Sequence, residues 1–488
     1  MSLPWELPNL RRAFAQLCTQ GDHAAAVEMA DDIARFLMVF GLGRELAAVR
    51  AAQQHATEAL AATSDGTLSQ AVYLHESGQG EDEYNRGDVR SAYARFTALL
   101  ARIEQAAPGA ARGPGSYEHC FTLGKLARCL RAGGQPSTAE QVLRRALEVV
   151  HSLFVAQPET KQFIAQQGYL FADLGDVLRD QGKYGEARQA YEKFEQIARQ
   201  QNNPRSQGVS LGQLGTLALL QRDYTEATKR HREALDLFQT MREPAMEAVA
   251  WHQLGMVAEE QKQWAEAAGS YRESLALQER RGDQAGVATT CNQLAIVAAG
   301  AGRPSEAEGW YKRALDFSGL PKPHEASMCN NLAGLLANEI RAGRMGRERL
   351  AEARGYAERA LAIKETLDAS SRIWTTLRVL ADLADLEGQA AQAAAYRRRE
   401  RVAFAAFPGN RWHIDKQFGP LIQAIAAAAR GDGAMRAAVE AALPQLEANG
   451  WHITEATRRL WAGEREWHGL CEGVGVNSAL LLLRVVEE

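Results

Sequence analysis

Between residues 168 and 339 one unit recurs at a fixed spacing. LGDVLRDQGKYGEARQAY is followed by LGTLALLQRDYTEATKRH, LGMVAEEQKQWAEAAGSY and LAIVAAGAGRPSEAEGWY, led by Leu174, Leu214, Leu254 and Leu294 at 40-residue intervals. A period of this length means that each unit is a supersecondary element that buries its apolar face only against its neighbours. The chain must therefore fold as a repeat array, not round one central core.

Each unit reads as two helices joined by a tight turn. In the first helix Phe171, Leu174, Gly175 and Leu178 fall at i, i+3, i+4 and i+7, one face of an α-helix. Gln181-Gly182-Lys183-Tyr184 supplies the reversal. Ala187, Tyr191, Phe194 and Ile197 mark the second helix, echoed by Ala227, His231, Ala234 and Leu237, then by Ala267, Tyr271, Ser274 and Leu277. Small residues at Gly175, Gly215, Gly255 and Ala295, and at Ala187, Ala227, Ala267 and Ala307, let the two helices approach closely.

These residues resemble the tetratricopeptide repeat family. The likeness is carried by bulky Trp251, then Leu254-Gly255, Trp264 in the turn, Ala267 and Tyr271. The usual period is about 34 residues, whereas this chain uses 40, so the extra residues lengthen helices and loops such as Gln201-Asn202-Asn203-Pro204. The resemblance implies an all-α, right-handed α-solenoid (a superhelix) of about nine helical hairpins, closed by a C-terminal helical cap. It also implies relatives among peptide-binding adaptors and among the sensor regions of bacterial STAND-type (NB-ARC) signalling and defence proteins.

Taken in order, residues 1–105 read as degenerate hairpins, with turns at Gln20-Gly21-Asp22 and Arg86-Gly87-Asp88 and a long helix from about Gly43 to Ala61. Residues 106–115 (AAPGAARGPG) form a linker, because proline and glycine stop both flanking helices. An irregular unit occupies 116–167, and the regular array runs over 168–406 with an insertion near 341–349. From 407 to 488 the period is lost and amphipathic helices break at Gly431-Asp432-Gly433, Asn449-Gly450 and Gly473-Val474-Gly475, as expected of a cap. Asn9-Leu10-Arg11-Arg12-Ala13-Phe14 resembles a segment that opens the repeats of STAND-type regulators. The tail LPQLEANGWHITEATRRLWAGEREWHGLCEG is similar to caps of bacterial repeat proteins in signalling and defence. No G-x-x-x-x-G-K-[ST] loop accompanies them, so if the chain is a relative of those ATPases it is expected to be the sensor arm without the motor.

Composition narrows the function classes. A formal net charge of -4 argues against nucleic acid as the main ligand. No apolar run reaches the roughly 20 residues that a membrane span needs, and the opening MSLPWELPNLRRAF lacks the order of a signal peptide. Six cysteines are scattered without a C-x-x-C pair, and Cys291 and Cys329 take the repeat position of Trp251, so reduced buried thiols and a cytoplasmic location are expected.

Candidate chemistry is sparse. Trp412-His413, Trp451-His452 and Trp467-His468 fit no zinc spacing, so the tryptophans are expected to plug the cap with histidine at their polar edges. Gly463-Glu464-Arg465-Glu466 reads as helix-end charge pairing. His468 and Cys471 lack an orienting group, so a structural cysteine is expected. The basic run Arg397-Arg398-Arg399-Glu400-Arg401 is expected to be a solvated helix face. No catalytic residue, cofactor or metal is expected.

The better-motivated site is a groove lined by the first helix of each hairpin. Transferring the family's inward positions gives Tyr169, Asp176, Arg179, Thr216, His252, Met256, Glu259, Asn292, Asn330 and Asn338. Asparagine offers both donor and acceptor to a peptide backbone. The expected function is a non-enzymatic bacterial scaffold or sensor that binds a protein or peptide segment there. The alternative is a regulatory subunit or sensor arm that docks a separate effector through the cap.

Overall fold

The computed structural model describes residues 7–39, 48–56, 59, 68–107, 109–317, 320–367 and 372–488. Among these, every regular element is helical. The expected helix over 43–61 is helical at 48–56 and 59; its other positions lie outside the described residues, as does Pro108 of the expected linker. Two compact units are present, Met1–Val257 and Ala258–Glu488, and the division falls inside helix Pro244–Glu260.

In the first unit, antiparallel hairpins pair Leu7–Gln20 with His23–Val39, Gln70–Asn85 with Val89–Gln105, and Tyr117–Ala132 with Pro136–Ala156. The regular repeats follow: Lys161–Asp180 with Tyr184–Gln200, and Pro204–Leu220 with Tyr224–Met241. Consecutive helices pack on one another, as an array that lacks long-range topology must. Leu123, Leu143, Leu170, Leu178 and Leu217 are fully buried between successive hairpins. Each such leucine contributes roughly 2 kcal/mol of hydrophobic stabilisation.

Local sequence sets the ends of these helices. Side chains of Asp88, Ser116, Asn203, Asp223 and Asp283 each accept an otherwise orphaned amide in the first turn, at 2.9–3.1 Å. Pro136, Pro204 and Pro304 stand in the first turn, where no amide donor is needed. The turn inside each regular hairpin places one residue in the left-handed region, and the position recurs every 40 residues: Gly182 (φ 74°), Arg222 (61°), Lys262 (59°) and Gly302 (73°). At Gly175 close packing excludes a side chain, since a Cβ there would lie 2.5 Å from the Tyr191 ring.

The second unit contains Trp264–Arg281, the hairpins Gln284–Gly300/Pro304–Leu315, Lys322–Arg341/Leu350–Glu365 and Trp374–Leu386/Ala390–Ala406, and then the cap. The long turn after Arg341 includes a short 3-10 segment, Arg347–Arg349, whose Arg349 holds Glu308 through two 2.8 Å bonds. In the cap, Pro408–Ala429, Gly433–Ala448, Thr454–Trp461 and Trp467–Leu470 surround Val476–Glu487. The apolar run Ala479–Leu482 of that last helix is fully buried, against both the cap and helix Ala390–Ala406.

Candidate functional site

In the first unit, polar residues of Lys161–Asp180 form a row that links three hairpins. Arg131, from the preceding first helix, reaches Asp176 at 2.7 Å and Asp180 at 2.6 Å. Arg179 pairs with Asp180 at 3.1 Å and donates to Gln213 of the following repeat at 3.2 Å. The Tyr191 hydroxyl donates to Asp176 at 2.7 Å from the second helix of the same hairpin. Beside this row, burial pushes the half-buried Asp173 carboxyl up to about 6, against the opposing pull of Arg128, Lys125 and Arg131.

The other candidates of this unit lie on the same helices. Tyr169 is 51% exposed, its ring 6.2 Å from that of Phe194. The Thr216 hydroxyl is turned back onto the Gly212 carbonyl of its own helix at 3.0 Å. His252 and Met256 are half-buried, and burial lowers the His252 imidazole to about 4, so it is neutral at ordinary pH.

In the second unit Glu259 accepts from Tyr271 at 2.7 Å and from Gln293 at 3.3 Å. Asn292 donates to Gln293 at 3.1 Å and accepts from Asn331 of the next hairpin at 3.4 Å. Asn330 is half-buried with its carbonyl oxygen lacking a hydrogen-bond partner among the described residues, and Asn338 is exposed. Within each unit the predicted positions do fall on first helices. Asp176, Arg179, Glu259 and Asn292, however, are engaged by neighbouring repeats.

Their partners Arg131, Tyr191, Gln213, Gln293 and Asn331 were missed by sequence reasoning. For Gln213, Gln293 and Asn331 a signal existed, since the residue before each repeat leucine is polar, as are Asp173 and Gln253.

A second feature had no sequence signal. The first helices Gln70–Asn85, Tyr117–Ala132 and Lys161–Asp180, with Arg50, enclose a cavity of about 430 Å³. Tyr73, Leu74, Tyr117 and Phe121 supply its apolar wall, and Glu81, Asp82 and Glu118 its acidic one. Each acid has a basic neighbour: Lys125 is 2.6 Å from Glu81, Arg50 3.2 Å from Asp82 and Arg112 3.9 Å from Glu118. Two of the three hairpins that build it have lost the repeat consensus, so periodicity could not locate it.

The cap departs from expectation in two places. Trp451 packs edge-on against Phe418 at 4.3 Å, and the Trp467 indole donates to the Ala479 carbonyl at 2.8 Å, so both plug the core. Trp412 does not: it is 56% exposed with the Lys416 ammonium 4.7 Å above its ring. The basic run is not a wholly solvated face either, because Glu400 and Arg401 are buried where helix Ala390–Ala406 meets the cap. The Gly463–Glu466 stretch does serve helix-end pairing, with Glu464 held by Arg459 and Glu466 capping the turn at His468. Burial pushes the Cys471 thiol up to about 12, opposite to what a nucleophile needs. Among the described residues no cluster of His, Cys, Asp or Glu could hold a metal ion, and no helix is long and apolar enough to cross a membrane.

Comparison with known proteins agrees with this geometry. The profile of the family described as Tetratricopeptide repeat matches residues 169–240 and 246–318. No match was found among curated proteins. Among solved structures, a STAND protein (signal transduction ATPase with numerous domains) with a tetratricopeptide repeat sensor from Pyrococcus horikoshii has a TM-score of 0.51 at 14% identity. The alignment covers 77% of this chain and 52% of that one, so the chain spans about half that protein's length. The apo quorum sensor NprR from B. thuringiensis aligns at 12% identity and TM-score 0.49, covering 78% of this chain and 99% of that one. BtubC from P. vanneervenii aligns at 20% identity and TM-score 0.39, covering 46% and 89%. With residues 169–240 and 246–318 matched in sequence and hairpins stacked in each unit, the chain carries tetratricopeptide repeats and is similar in fold to a sensor-bearing STAND protein.

Proposed function

We propose that this chain is a non-catalytic sensor or scaffold that binds a protein or peptide segment along the inner faces of its first helices. The observation that carries the reading is the cavity of about 430 Å³ in the first unit, because every helix that lines it from residue 70 onward is the first of its hairpin. Its aromatic wall suits an apolar anchor side chain, and its lining of three acids and one arginine suits a neighbouring basic group. The exposed Tyr169 and the amides of Asn292, Asn330 and Asn338 extend the same kind of surface within their units. Six free cysteines, five of them buried, support a reducing and hence cytoplasmic setting.

Peptide display against the full chain tests the proposal. Selected peptides are expected to share an apolar residue beside Lys or Arg, and to lose binding to a Gly78→Leu variant that fills the cavity while circular dichroism shows the helices intact. Unchanged binding to the folded variant would rule the cavity out as the anchor. A triple variant, Arg179→Ala, Asn330→Ala and Asn338→Ala, tests the remaining inner-face positions in the same assay.

A second reading, docking of a separate effector on the cap, is favoured by Trp412, a large aromatic left exposed on an otherwise well-packed subdomain. Trp412→Ala should then abolish effector binding and leave peptide binding intact.

A further inference from the structure

Where the last repeat hairpin meets the cap, a cavity of about 390 Å³ opens, apart from the inner faces discussed above. Arg378, Arg397, Glu400 and Arg401 line one side, and the segment from Val474 to Ser478 lines the other. Three arginines against one glutamate leave this lining with a formal charge of +2.

Two independent features converge on the space. The first is the start of helix Val476–Glu487, whose N-cap is Gly475. The first intrahelical bond runs from the Ala479 amide to the Gly475 carbonyl at 2.9 Å. The amides of Val476, Asn477 and Ser478 therefore have no acceptor in their own helix, Gly475 has no side chain to cap them, and no acidic residue stands in the first turn. Such a helix start carries partial positive charge and aligned donors.

The second is Arg401. Its side chain is 8% exposed, yet its Nε finds no hydrogen-bond partner among the described residues. The other arginines of the lining are engaged. Arg378 donates to Glu400 at 3.1 Å, and Arg397 pairs with Asp385. A buried guanidinium nitrogen without an acceptor is costly, since its own desolvation goes uncompensated. A ligand that supplies acceptors to Arg401 and to the helix start would remove that cost.

We propose that this cavity is a binding site for a phosphoryl group, either free phosphate or the phosphate of a small phosphomonoester. With Arg378 and Arg397 already paired, Arg401 and the helix start are left to meet the charge of a phosphate. Its several oxygens can be shared between a forked guanidinium and backbone amides, more donors than a carboxylate can satisfy. The cavity also exceeds what a bare phosphate fills, which leaves room for a small organic group.

The test is calorimetry and thermal unfolding of the full chain with sodium phosphate, sodium acetate or glucose 6-phosphate, with ionic strength matched by sodium chloride. Saturable phosphate binding at millimolar Kd or tighter is expected, with a matching rise in Tm. Arg401→Met should weaken it at least about tenfold. Tighter binding of glucose 6-phosphate identifies a phosphorylated small molecule as the occupant, and equal binding identifies phosphate alone.

No phosphate-dependent shift in wild type, an equal shift with acetate, or undiminished binding by Arg401→Met would each overturn the proposal. If Arg401→Met fails to fold, Val476→Pro decides. Proline is suited to the first helical position, and Gly475 already has the extended backbone (φ -70°, ψ 163°) that a following proline requires. That variant loses one amide donor, so it should bind phosphate measurably more weakly, and full affinity would count against the site.

Discussion

The hydroxyl of Tyr191 donates to Asp176 at 2.7 Å while its ring lies so close to Gly175 that a Cβ there would sit 2.5 Å from Cε1. One side chain thus closes the hairpin and anchors the carboxylate that Arg131 holds from the preceding repeat. Tyr191→Phe keeps the packing and removes only the hydroxyl, so a loss of about 1–2 kcal/mol in urea unfolding is expected. Gly175→Ala forces the helices apart and should cost more, about 2–3 kcal/mol. Equal effects of the two variants would mean that the hydrogen bond, and not the close approach, dominates.

His231 takes the place of Tyr191 one repeat later, fully buried, with neither ring nitrogen hydrogen-bonded among the described residues. Burial lowers its imidazole from 6.5 to about 4. The folded state therefore binds a proton less readily than the unfolded chain, so this contribution is present above pH 6.5 and is lost as pH falls toward 4. His231→Phe should raise Tm at every pH and raise it more at pH 5 than at pH 8. An equal gain at both values would show that protonation plays no part.

Arg222 and Lys262 occupy the left-handed turn position that Gly182 and Gly302 fill in sister repeats. A side chain in that region carries a steric cost of about 1 kcal/mol. Arg222→Gly and Lys262→Gly should each stabilise the chain by up to about 1 kcal/mol in chemical denaturation, whereas Gly182→Arg should destabilise it by a similar amount.

Of the six free thiols only Cys18 is not buried. Burial raises the thiols of Cys120, Cys129, Cys291, Cys329 and Cys471, to between about 11 and about 12. A thiol reagent at pH 8 should therefore modify one equivalent quickly and the rest only on unfolding, and mass spectrometry should place the fast adduct on Cys18.

The repeat array was legible because its physics is local. Leu174, Leu214, Leu254 and Leu294 pack against sequence neighbours, so a 40-residue period already states the fold, the turns and which helix of each hairpin comes first. The candidate residues fall on first helices for the same reason. Which of them are engaged was not legible, because Arg131 on Asp176 and Gln293 on Glu259 are contacts between repeats that depend on side-chain reach.

Tertiary structure alone decided what happens where the period fails. The aromatic wall of the cavity, around Tyr73 and Phe121, arises from helices that have drifted from the consensus. Arg401 reads in sequence as one more residue of a basic helix face. It is buried because the final helix, carrying Ala479–Leu482, must be covered on all sides and brings its own start against helix Ala390–Ala406. Sequence determined the repeating hairpin, since a hairpin's core is built from residues a few positions apart. The cap and the sites beside it were settled only by packing, since burial there joins residues that no periodicity relates.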